Sequence, residues 1–178
     1  MPFKETPIPG LVIFEPKVFE DCRGYFFESF NAKVFDELGI DTNFVQDNQS
    51  KSTYGVLRGL HFQRGPYAQA KLVRVLSGEV LDVAVDLRKD SPTHGQHFSI
   101  ILSGENKTQL YVPRGFAHGF VVLSETAEFF YKCDNFYSRE NEDGIIFNDP
   151  DLSIDWQVPE SDLIVSEKDK VLPRFKEL

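Results

Sequence analysis

Between Tyr54 and Phe147 the chain reads as one short strand after another, with turn residues at intervals and no helical periodicity. Such a series cannot bury its apolar residues as a helical bundle; it suits a sandwich or a barrel. Leu72 to Leu76 ends at Ser77-Gly78. Glu79 to Arg88 alternates, which predicts Leu81, Val83, Val85 and Leu87 turned inward and Asp82, Ala84, Asp86 and Arg88 facing water. Phe98 to Leu102, Gln109 to Val112, His118 to Leu123, Ala127 to Cys133 and Ile145 to Phe147 continue the series. The 17 phenylalanines supply aromatic bulk for a sheet-built interior. The expected class is mainly β with a few short helices, in a single domain over residues 1–178.

The flanks differ from this middle. Leu11 to Phe14 and Lys17 to Glu20 are strand candidates broken by Pro16, Asp21 to Gly24 turns the chain, and Tyr25 to Phe30 reads as another strand. Asn31 can cap a short helix through Leu38, stopped by Gly39. Asn43 to Gln49 is extended and polar, and Gln46, Asp47 and Asn48 offer donors and acceptors in succession. The last thirty residues are polar and spaced by prolines, with short helical turns expected at the end.

The formal net charge of −9 argues against nonspecific nucleic-acid binding, which needs clustered Lys and Arg. An anionic ligand would require a local arginine cluster. No stretch approaches the apolar length of a membrane span or a signal peptide, so a cytoplasmic protein with no membrane partner is expected. Cys22 and Cys133 form neither a redox motif nor a zinc spacing and are expected as free thiols.

Val56-Leu57-Arg58-Gly59-Leu60-His61-Phe62-Gln63 places an arginine and a histidine in one strand-like run. Strict alternation would put Arg58 and His61 on opposite faces. If both serve one cavity, the strand must bend, and Gly59 is where it can.

Four histidines, His61, His94, His97 and His118, raise the question of a metal. Pro113-Arg114-Gly115-Phe116-Ala117-His118 resembles the second motif of cupins, in which the histidine points into a barrel. The companion motif of metal-binding cupins, two histidines one residue apart followed by a glutamate, is missing, so no metal is expected. Cofactor-free inversion next to a carbonyl needs instead a base, a group to stabilise an enolate oxygen and an acid on the opposite face. His61, Lys71 and Tyr131 have those characters, and Asp169 is one candidate among many for a carboxylate that orients the imidazole. Plainer readings stand beside these: a solvated Lys71, a core Tyr131, a turn-capping Asp169, and Arg23 and Arg58 in surface ion pairs.

Arg58-Gly59-Leu60-His61-Phe62-Gln63, Gln46-Asp47-Asn48, Lys71-Leu72-Val73-Arg74, Pro113 to Phe120 and Phe130-Tyr131-Lys132 together resemble the dTDP-4-dehydrorhamnose 3,5-epimerase family, and the likeness runs from Glu15-Pro16-Lys17-Val18-Phe19 to Ser166-Glu167-Lys168-Asp169. The resemblance implies a cupin-type double-stranded β-helix, a jelly-roll barrel, that works as a homodimer on a dTDP-sugar without metal or organic cofactor. It implies His61 as general base held by Asp169, Lys71 at the enolate oxygen and Tyr131 as the acid. It also implies Arg23, Phe26, Glu28, Gln46, Asp47, Asn48, Arg58, His118, Glu142 and Lys168 around the sugar nucleotide, with Tyr137 stacking on thymine and Arg23 and Glu28 reaching the partner subunit's site. Relatives that epimerise one carbon, or isomerise the keto group, share the fold. Other classes make different demands: a thiol-pair racemase would set Cys22 against Cys133 across a pocket, a binding module would not need acid and base together, and a cupin oxygenase would need a metal.

Overall fold

The computed structural model describes residues 2–40 and 43–178. Two sheets face one another. The first orders β1 (Phe3–Glu5), β2 (Val12–Phe14), β10 (Gln109–Val112), β7 (Lys71–Ser77), β12 (Thr126–Cys133) and β5 (Gln46–Thr53) as β1-β2-β10-β7-β12-β5. The second runs β13 (Glu142–Gly144), β6 (Val56–Gln63), β11 (Phe116–Val122), β8 (Glu79–Asp86) and β9 (His97–Ser103), and β14 (Ile164–Val165) adds to β6 in parallel. A hairpin of β3 (Phe19–Asp21) and β4 (Gly24–Phe26) stands apart. This is the cupin-type jelly roll that the motifs implied.

Val73, Val75, Val80, Ala84, Leu110, Val112, Phe116, Phe120 and Phe129 fill the space between the sheets, and Phe120 stacks on Phe129 with ring centroids 4.1 Å apart. The outer face of the second sheet is covered as well. Leu57, Leu60, Leu81, Val83, Val85, Ala117 and Val121 pack there against Ile145, Leu152 and Trp156 from the C-terminal stretch. Outside the first sheet, Phe14, Leu72 and Tyr111 pack on Phe35 from the helix.

This second cover corrects the expected orientation of β8. Alternation along the strand holds, yet both of its faces are buried: Leu81, Val83 and Val85 point outward under the C-terminal stretch, while Asp82 and Ala84 face the barrel interior at 0% exposure. Asp86 is equally buried because Arg88, Ser91 and Thr93 all donate hydrogen bonds to its carboxylate. Buried carboxylates survive only when so partnered.

Other boundaries move for local reasons. The final strand of the series is Glu142–Gly144 rather than Ile145 to Phe147, because it is the former that pairs with Gln63 to His61. Of the expected strand from Tyr25 to Phe30 only Tyr25 and Phe26 pair, in a strand that begins at Gly24, across the turn at Cys22-Arg23. The helix α1 spans Ala32–Asp36. Asn31 caps it through its backbone carbonyl, which accepts from Val34 and Phe35, while its side chain turns to Glu28. The C-terminal residues form short 3-10 turns, including Asp169–Val171, as expected.

Candidate active site

The site begins with an irregularity in β6. In its pairing with β11, His61 lies opposite His118 and Arg58 opposite Phe120, so Gly59 and Leu60 together face the single residue Gly119. That extra residue is a β-bulge, and it shifts the phase of the strand. Leu57, Leu60 and Phe62 then pack outside the barrel, whereas Arg58 and His61 both line the cavity inside it. Gly59 holds a φ of +135°, and a Cβ there would come within 2.6 Å of the Gly119 Cα and 3.0 Å of the His118 carbonyl oxygen. Only glycine tolerates both constraints. Leu60 keeps its backbone paired across the bulge by exchanging hydrogen bonds with Ile145.

The cavity inside the barrel measures about 600 Å³ and is lined by Asn48, Arg58, His61, Lys71, His118, Tyr131 and Asp169, with Phe120 and Phe129 as its apolar floor. A larger groove of about 890 Å³ runs past Ile8, Leu11 and Tyr111. Among the described residues that line it, only Glu5 and Tyr111 carry ionisable side chains, so size does not mark the chemistry. His61 Nε2 lies 2.7 Å from Asp169 Oδ1. Asp169 is buried at 4% exposure. Burial alone would raise its pKa, but hydrogen bonds from His61, the Gly59 N–H and the Ser166 hydroxyl, together with the imidazole charge, hold it below the usual carboxylate range. With Nε2 donating to that carboxylate, the neutral imidazole keeps its lone pair at Nδ1.

The opposite wall comes from the first sheet. Lys71 and Tyr131 point inward from neighbouring strands, with the Lys71 ammonium 5.8 Å from the Tyr131 ring centre. Burial lowers the Lys71 pKa, against the pull of Cys133, Asp82 and Glu142. Burial also pushes the Tyr131 phenol up to about 12, which keeps it a proton donor throughout the neutral range. Base, cation and neutral acid thus share one enclosure. An arrangement of this kind can remove a proton next to a carbonyl, stabilise the resulting enolate and return a proton from elsewhere.

The sequence matches the dTDP-4-dehydrorhamnose 3,5-epimerase family over residues 5–177. The chain belongs to that family. The Shigella flexneri dTDP-4-dehydrorhamnose 3,5-epimerase is 59% identical over 166 residues, covering 93% of this chain and 91% of the relative. The crystal structure of the Elizabethkingia anophelis enzyme of the same name superimposes with a TM-score of 0.96 at 62% identity, covering 98% of this chain and 96% of that one. A Legionella pneumophila dTDP-6-deoxy-D-glucose-3,5-epimerase, solved in complex with dTDP-4-keto-L-rhamnose, superimposes at 0.94 with 52% identity over 98% and 92% of the two chains.

In this member of the epimerase family, the residues expected at the site fall into three places. His61, Lys71, Tyr131, Asp169, Asn48, Arg58, His118 and Lys168 line the cavity. At its rim, Tyr137 donates its hydroxyl to Glu142 at 2.9 Å, Lys168 donates to the same carboxylate at 2.5 Å, and Gln46 accepts from the Tyr137 amide at 3.1 Å. Those hydrogen bonds lower the Glu142 pKa although burial alone would raise it. Arg23, Phe26 and Glu28 lie outside, on or just after the β3–β4 hairpin, where Phe26 is 68% exposed and Arg23 pairs with Asp21. Asp47 also points away from the cavity, because alternation in β5 turns Gln46 and Asn48 inward and leaves Asp47 on the outer face, paired with Lys132 at 2.8 Å.

Two site features escaped the sequence reading. Asp82, expected in water, lies beneath the cavity and holds His118 Nε2 at 2.9 Å. Ser52 accepts from Arg58 at 3.1 Å and fixes the guanidinium. The signal for Asp82 was present: apolar residues flank it on both sides through Val80 to Val85, the pattern of a strand covered on both faces. Cys22 is exposed in the hairpin turn and Cys133 is buried on β12, and neither lines the cavity.

Proposed function

We propose that this chain converts dTDP-4-dehydro-6-deoxy-D-glucose to dTDP-4-dehydro-L-rhamnose as one catalytic domain, by removing and returning protons at carbons 5 and 3. The observation that carries this reading is the buried His61–Asp169 pair set in one cavity with Lys71 and Tyr131. His61 Nδ1 takes the proton that the carbon-4 carbonyl acidifies, and Asp169 stabilises the imidazolium that forms. Lys71 faces the oxygen on which the enolate charge develops. Tyr131 returns a proton to the other face of the carbon, which inverts it. Acid, base and cation are all side chains, so the route requires no metal or organic cofactor.

Arg58, held by Ser52, supplies the fork for the diphosphate, and Tyr137 offers an exposed ring to thymine. Gln46, Asn48, His118, Glu142 and Lys168 complete the nucleotide-sugar contacts. The chain acts as a homodimer in which Arg23 and Glu28 reach the partner's cavity. Exposed Phe19, Tyr25 and Phe26 on a hairpin outside both sheets support that role. A cavity of about 600 Å³ lies within the range that encloses a small ligand.

Incubation with dTDP-4-dehydro-6-deoxyglucose in deuterium oxide should place deuterium at carbons 3 and 5 in an enzyme-dependent way. Exchange at one carbon alone would mark a single-position epimerase, and exchange at neither would refute the proposal.

A further inference from the structure

Gln63 ends the strand that carries Arg58 and His61, and its side chain is buried, yet none of the roles above uses it. Its Oε1 accepts a hydrogen bond from the Ser138 amide at 3.0 Å. That bond belongs to a pattern. Three successive backbone N–H groups, of Phe136, Tyr137 and Ser138, are all taken by side-chain amide carbonyls: Asn135 Oδ1 at 2.9 Å, Gln46 Oε1 at 3.1 Å and Gln63 Oε1 at 3.0 Å. The segment carrying the exposed Tyr137 ring is therefore hung on amide side chains. Phe136 and Tyr137 are 63% and 51% exposed, so apolar packing does little to hold it.

Gln63 is also the bridge to the other support of that ring. It pairs across the ladder with Glu142, the residue that accepts the Tyr137 hydroxyl at 2.9 Å. The neighbouring Arg64 amide donates to the Asn141 carbonyl at 2.8 Å, closing the far end of the loop onto the same strand end. Loop backbone and ring hydroxyl are thus both referred to residue 63 of β6, two residues from the base.

We infer that Gln63 is a positioning residue for nucleotide recognition, fixing the Tyr137 loop in its base-stacking geometry through the Ser138 amide. The inference rests on the proposal that Tyr137 stacks on thymine. An aromatic held in place before binding costs less ordering when the ligand arrives. Without the Gln63 carbonyl, the Ser138 N–H loses its buried acceptor and the loop must be ordered at the expense of affinity. Proton transfer involves His61, Lys71 and Tyr131 and does not pass through this loop.

The test is a double-mutant cycle read by calorimetric affinity for dTDP and by steady-state kinetics. Gln63→Met keeps the length of the side chain and removes the acceptor, and Gln63→Asn withdraws it by one methylene. Each should raise the Kd for dTDP and the KM on the order of tenfold while kcat changes by less than about twofold. In a Tyr137→Ala background, Gln63→Met should alter the dTDP affinity by less than about twofold. A full loss in that background, or a fall in kcat without a rise in KM, would show a merely structural glutamine and overturn the inference. Unchanged affinity in Gln63→Met with weakened affinity in Tyr137→Ala would overturn it while leaving the stacking intact. Unchanged affinity in Tyr137→Ala would overturn the stacking and the inference together. In the unaltered protein, the Ser138 amide should be protected from hydrogen exchange without ligand, and exchange at the rate of a free loop would also count against it.

Discussion

Asp169→Asn isolates what the carboxylate contributes to His61, because the amide keeps the shape of the side chain and removes its charge. The carboxylate oxygen lies 2.7 Å from His61 Nε2, and the residue is 4% exposed, so solvent screens the pair weakly. When His61 accepts a substrate proton, the imidazolium gains the full attraction of this partner. Two unit charges with centres about 4 Å apart at an effective dielectric constant of about 20 attract by about 4 kcal/mol. At about 1.4 kcal/mol per factor of ten, losing that attraction slows proton removal by roughly a thousandfold. The assay is the initial rate of deuterium wash-in at carbons 3 and 5 of dTDP-4-dehydro-6-deoxyglucose, followed by proton NMR at saturating substrate. Both positions should slow together, since one base serves both. A rate within about tenfold of the unaltered enzyme at either carbon would refute the view that Asp169 carries the charged state of His61.

Tyr131→Phe should leave wash-in at the first carbon measurable while slowing formation of the inverted product by about 100-fold or more; product formation at the unaltered rate would remove Tyr131 as the acid. Gly59→Ala should lower the melting temperature on the order of 10 °C, because the new methyl meets the Gly119 Cα at 2.6 Å and the residue must keep a positive φ, and an unchanged transition would show that the bulge relaxes freely. Asp86→Asn should cost about 3 kcal/mol at neutral pH by unpairing Arg88, Ser91 and Thr93 from a buried carboxylate. Although burial raises the Asp86 pKa, hydrogen bonds from Arg88, Ser91 and Thr93 more than offset this and leave it depressed in the folded state. Its contribution is therefore complete above the unfolded value near ~3.9 and fades as pH falls below it. The gap in melting temperature between Asp86→Asn and the unaltered protein should narrow toward about pH 3, and a gap that stays constant would refute the assignment.

Much of this architecture could be read from local pattern. The strands from Lys71 to Cys133 lie where apolar runs end at turn residues, and Gln109–Val112 matches its expected limits. What local pattern could not show is which side of a strand faces the barrel. Leu81, Val83 and Val85 are buried either way, and only the return of Leu152 and Trp156 over the second sheet turns them outward and leaves Asp82 inside. The same return brings Asp169 to His61 across 108 residues of sequence, a pairing no spacing rule contains. The resemblance named both residues. The structure supplies the reason they meet: β14 lies along Val56 and Leu57, and the turn after it drops Asp169 beneath the bulge. Asp47 shows the opposite limit, since a run of three polar residues reads as one surface until alternation separates the middle one.

The bulge in β6 has a further meaning. An extended chain keeps a two-beat rhythm, and a residue's address, inside or outside, depends on whether its count from a fixed point is odd or even. Gly59 and Leu60 against Gly119 amount to one dropped beat. A regular ladder that kept both residues, each opposite its own partner, would turn His61 to the outer wall beside Leu57 and swing Leu60 and Phe62 inward. The sheet would be more regular, and the cavity would lose the His61 imidazole. Parity, which any strand of this barrel could have kept, is what this one gives up so that Arg58 and His61 can look into the same room.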